Sequence, residues 1–103
     1  MQTLEEKYGI TAPKGQLYRF SIELTNDAIR KTIDDYNQET GDGVNFEYIE
    51  FALGDFYPIR AIPIMVYPDK RVFAIYSEFQ HYADEAFLEI LSIGGEGVRK
   101  VEV

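Results

Sequence analysis

Few residues in this chain are equipped for catalysis. One histidine, His81, and no cysteine occur among 103 residues, so disulfides, thiolate metal sites, a cysteine nucleophile and a histidine-rich zinc centre are all excluded. His81 falls in a predicted helix, on the side away from its apolar stripe, near Asp84, Glu85 and Leu88. A general base needs an orienting carboxylate and a nearby nucleophile or oxyanion site, and spacing pairs His81 with neither. It reads as a surface residue.

Oxygen donors crowd the stretch containing Asp35, Asn37, Glu39, Gly41, Asp42, Gly43 and Asn45, the ligand types that hard cations take. Counting from Asp35, however, the place of the invariant glycine of a calcium loop holds Thr40, and the place of its bidentate acid holds Phe46. A helix end followed by a Gly-Asp-Gly turn fits better. Gly94, Gly95 and Gly97 follow a predicted helix, whereas phosphate loops precede one so that free amides face the anion. A carbonyl-rich helix end beside Glu96 repels phosphate, so these glycines read as a C-cap and a flexible connection. No pattern in the chain implies a cofactor or a metal.

What stands out is charge. The formal net charge is -8, with pI near 4.5, which repels phosphate backbones and argues against direct nucleic-acid binding. From Asp34 to Asp55 the chain has Asp34, Asp35, Glu39, Asp42, Glu47, Glu50 and Asp55 without a lysine or arginine. From Val72 to Val98 it has Glu78, Asp84, Glu85, Glu89 and Glu96, again without a base. Solvated surface is the ordinary explanation of such runs. The N-terminal MQTLEEKYG lacks a basic region followed by an apolar run, and no apolar stretch approaches the roughly 18 residues of a membrane span. The expectation is a soluble cytoplasmic protein without membrane contact.

The elements that must position these residues follow from periodicity. Ser77 to Gly94 is predicted as an amphipathic helix: Phe79, Tyr82, Ala83, Ala86, Phe87, Ile90 and Ile93 recur at steps of three and four. Ser77 and Gln80 fit a capping box, and Gly94 and Gly95 a stop. Thr3 to Tyr8 fits a short helical turn with Thr3 and Glu6 as its box and Gly9 as its end. Gln16 to Leu24 alternates, with Tyr18, Phe20, Ile22 and Leu24 on one side and Arg19, Ser21 and Glu23 on the other, as a half-buried strand does. Thr25 or Asn26 caps a helix to about Glu39 with Ile29, Ile33 and Tyr36 inward and Gly41 as stop. Its acids lie in the second half, where the helix dipole disfavours them by about 0.3 to 1 kcal/mol each.

Val44 to Leu53 reads as a strand with a bulge near Tyr48 to Glu50, where the apolar phase switches. Phe56 to Tyr67 contains Pro58 and Pro63, which lack the amide of a central strand, and is placed at an edge or bent. After a turn at Pro68, Asp69 and Lys70, Arg71 to Tyr76 reads as a more buried strand, and Val98 to Val103 as the last one. This order predicts a single α+β domain over residues 1–103: a two-layer sandwich with a mostly antiparallel sheet of four to five strands and two helices on one face. The arrangement resembles a ferredoxin-like βαββαβ plan with an extra strand. That resemblance is one of element order and implies no function.

The functional expectation is a small non-enzymatic interaction protein, an inhibitor or an antitoxin-like or immunity-like factor, that occupies a basic site on a protein partner, with nucleic-acid mimicry as one form of it. Asp34, Asp35, Glu39 and Asp42 around the first helix would carry it, with His81, Asp84, Glu85, Leu88 and Glu89 on the outer face of the second. The alternative is a ligand-binding or enzymatic domain with an aromatic-lined pocket, a homodimer, using His81, Tyr82, Tyr76 and Arg60. A third reading pairs the Pro58 to Tyr67 edge with a partner strand.

Overall fold

Thr25 is at once the end of a strand and the start of a helix, and much of the fold follows from that junction. The structure, a computed structural model, describes residues 2–44 and 58–103. A short helix α1 (Leu4–Tyr8) is followed by β1 (Leu17–Thr25) and α2 (Asn26–Thr40). Then come β2 (Ile59–Val66), β3 (Lys70–Ser77), α3 (Gln80–Gly94), a 3-10 turn (Gly95–Gly97) and β4 (Val98–Val101). At the junction, the Thr25 hydroxyl accepts the Ala28 amide at 3.2 Å, and Gly41 closes α2 in the left-handed region at φ 77°. Thr25→Ala is expected to lower stability by about 1 kcal/mol in urea denaturation, with Thr25→Ser close to the parent.

The strands pair in the order β2-β3-β1-β4, with antiparallel neighbours throughout. Ile22, Leu24, Phe73 and Ile75 of the sheet meet Ala28, Ile29 and Ile33 of α2 and Ala83, Ala86 and Ile90 of α3 in one buried cluster. The protein is thus an α+β sandwich with two helices on one sheet face, as expected. Among the described strands β2 ends the order, and its register shifts between Pro63 and Met65, where a proline disturbs the ladder least. The strand expected over Val44 to Leu53 lies, Val44 apart, outside the described residues.

Five local expectations are corrected. The Ser77–Gln80 capping box does not form, because Ser77 is still in β3, paired with Leu17 and Ile59. Its hydroxyl donates to the Phe79 carbonyl at 2.7 Å, Phe79 is the uncapped N-cap of α3, and Gln80 donates to Asp84 at 3.0 Å. Phe79, expected in the inward stripe, is consequently exposed.

The other three concern packing. β1 is covered on both sides: Ser21 and Glu23 are as buried as Ile22 and Leu24. Tyr18 joins the Ser21 side, because the ladder shifts between Tyr18 and Phe20, and its ring meets Tyr76 edge-on at 5.9 Å. Arg19 bridges this irregularity by donating to the carbonyls of Ser77 and Glu78 at 3.1 and 2.8 Å. Finally, residues 94–97 are a packed turn against α2 and not a loose connection, with Gly94 buried.

Candidate functional site

The same junctions that build the core set α2 and α3 side by side, and their exposed flanks bound a cleft of about 650 Å³. Thr32, Asp35, Tyr36 and Glu39 are spaced so that they share one face of α2, and Glu89 and Ile93, one turn apart, face them from α3. Three carboxylates therefore wall a cleft that also has apolar surface from Tyr36 and Ile93. Neither helix has a base in its last turn, so the negative dipole ends add to the field of these acids.

The remaining candidates do not line this cleft. Asp34 and Glu85 are exposed on their helices, and Asp42, just past Gly41, accepts the Tyr36 hydroxyl at 3.3 Å. Asp84 lies 3.9 Å from the Lys100 ammonium, which also sits over the Phe20 and Phe87 rings at 4.4 and 4.9 Å, so its charge is partly offset. Leu88 is 62% exposed. His81 stacks on Phe79 at 5.7 Å and lies 4.3 Å from the Tyr82 ring, in solvent.

The aromatic-pocket residues divide between two sheet faces. Tyr82 packs on the helix-side core, whereas Tyr76 is fully buried on the opposite face, with Arg60 as its cross-strand neighbour. Among the described residues no group of three or more histidine, aspartate or glutamate side chains is placed to hold a metal ion, and no helix is long and apolar enough to cross a membrane.

Two features were not anticipated from sequence. Tyr36 and Ile93 were expected wholly inward, yet both border the cleft, because two convex helices leave a groove along their seam. The i, i+3, i+4, i+7 spacing of Thr32, Asp35, Tyr36 and Glu39 was the available signal. The second is Glu23, expected on the outer side of β1. It is buried with Lys70 at 2.6 Å and Arg99 at 2.5 Å, one partner from each neighbouring strand. Comparison with known proteins finds no matching family, no similar curated protein and no similar solved structure.

Proposed function

We propose that this is a small, non-enzymatic interaction protein that uses the acidic flanks of α2 and α3 to occupy a basic site on a protein partner, as an inhibitor, antitoxin-like or immunity-like factor does. The observation that supports this reading is the convergence of Asp35, Glu39 and Glu89, distant in sequence, on one cleft. Carboxylates held on two helices present fixed negative charge, which steers a positive surface into register and rejects negative ones. Tyr36 and Ile93 add apolar area to that contact, so the complex does not rest on charge alone. Where the partner's site ordinarily holds nucleic acid, the helix acids stand in for phosphates.

The experiment is affinity capture from host lysate at low and high salt with two charge-matched variants. Asp35→Asn/Glu39→Gln/Glu89→Gln is expected to weaken capture about tenfold at low salt. Glu6→Gln/Glu78→Gln/Glu102→Gln, changed at exposed positions away from the cleft, is expected to change it less than about twofold. Equal losses in both variants would assign the effect to net charge and remove the cleft from the proposal. Retention indifferent to salt would remove the acidic surface altogether.

A further inference from the structure

We infer that α1 is a strap that opens from the rest of the domain as a local unit, releasing the Tyr76 hydroxyl on the sheet face opposite α2 and α3. A five-residue helix is too short to be stable by itself and needs docking. α1 has caps, with the Thr3 hydroxyl accepting the Glu6 amide and Gly9 at φ 66°, but it buries none of its own residues. It is tied to the sheet through a side-chain contact, the Tyr76 hydroxyl donating to Glu5 Oε1 at 2.9 Å.

The two ends of that contact differ sharply. Tyr76 is fully buried in a central strand, held by pairing to Arg60 on one side and Tyr18 on the other. Burial and then the Glu5 carboxylate push its phenol pKa upward, so the hydroxyl stays a donor across ordinary pH. Glu5, by contrast, rides on an element without a core.

The closed state also carries a cost that opening relieves. Two side-chain atoms, Tyr8 Oη at the end of α1 and Gln16 Oε1 just before β1, are buried with no hydrogen-bond partner among the described residues. A buried polar atom left unmatched carries its desolvation cost in full, and that cost vanishes for Tyr8 when α1 lifts and water reaches it. Weak burial plus an unmatched polar atom is the signature of a segment whose opening free energy lies well below that of the whole domain. What opening frees is the Tyr76 hydroxyl, on a sheet face where Tyr18, already 37% exposed, packs its ring against Tyr76 and shares a 2.8 Å hydroxyl contact with Ser21.

Hydrogen exchange read by mass spectrometry on the full chain tests this, with Glu5→Ala and Tyr76→Phe as independent ways to remove the tie. In the parent, residues 4–10 are expected to exchange well ahead of 70–77. Both variants are expected to speed exchange over 4–10 by about tenfold and to leave 70–77 protected. Unchanged exchange over 4–10 in both variants would mean that the strap is held elsewhere, and would overturn the inference. Acceleration of 70–77 together with 4–10 would make α1 an integral part of the cooperative core and overturn it equally. Tyr76→Phe keeps the buried ring, and Glu5→Ala leaves the sheet untouched, so a folding defect in one does not decide the result.

Discussion

Gly94→Ala is expected to destabilise the protein by about 1 to 3 kcal/mol, although alanine ordinarily gains about 1 kcal/mol over glycine within a helix. The backbone is not the obstacle, because Gly94 has ordinary right-handed helical angles, φ -84° and ψ -19°. Space is. A Cβ there would stand 2.3 Å from Val98 Cγ2 and 3.3 Å from the Ala28 Cβ, and both neighbours are buried. Gly97→Ala is expected to cost more, about 3 kcal/mol, since it combines overpacking with damage to a cap. Its Cβ would lie 2.4 Å from Thr25 Oγ1, the hydroxyl that caps α2, and 2.7 Å from the Ala28 Cβ. Urea denaturation of Gly94→Ala, Gly97→Ala, Val98→Ala and Gly94→Ala/Val98→Ala checks the mechanism. Removing the γ-methyls of Val98 should recover part of the Gly94→Ala loss, as a coupling of about 1 kcal/mol. A Gly94→Ala protein as stable as the parent would show that β4 can move aside.

Glu23→Ala is expected to lower stability by about 3 kcal/mol, the low end for breaking a buried ion pair. The low end applies because Arg99 and, in part, Lys70 reach solvent when their partner is lost. The carboxylate bridges three strands, taking Lys70 from β3 and Arg99 from β4, so the loss should loosen β4 first. The pH dependence has a definite sign. The Lys70 hydrogen bond, opposed by burial and helped by Arg99, holds the Glu23 carboxyl below its usual range. Its stabilisation is therefore complete above the unfolded carboxyl pKa and is lost as pH falls through the lower folded value. The Lys70 ammonium, raised chiefly by its hydrogen bond to Glu23, contributes below the unfolded lysine pKa and loses that contribution as pH climbs through the higher folded value. The stability difference between parent and Glu23→Gln should accordingly be a plateau near neutrality that shrinks toward both extremes. A difference independent of pH from neutral to strongly acidic would refute the ion-pair account.

Much of the fold was written in the sequence because its signals are local. Thr25 and Gly41 bound α2 as read, and Thr3 and Gly9 bound α1. Pro63 marked β2 as the strand that tolerates a broken ladder. The apolar step of three and four located α3, except at its first turn. There Ser77 had two partners open to it, a helix amide or the sheet, and pairing with Leu17 and Ile59 prevailed. A cap signal is a preference of a few residues, and tertiary pairing overrides it.

The candidate site was legible only in part. That Asp35, Glu39 and Glu89 are surface acids follows from their phase on the helices, but that they share one cleft depends on how α2 and α3 lie against each other. The same holds for Asp84, whose Lys100 partner comes from β4, far along the chain. By itself, then, the sequence determined the α+β class, the helix and strand identities among the described residues, the excess of negative charge and the absence of thiol chemistry, since each is a property of composition or of short-range period. Tertiary structure alone decided that Glu23 is buried between two cations, that Gly94 and Gly97 cannot take a methyl group, and which acids meet. Those facts depend on contacts between residues remote in the chain, and periodicity carries no information about distance across a fold.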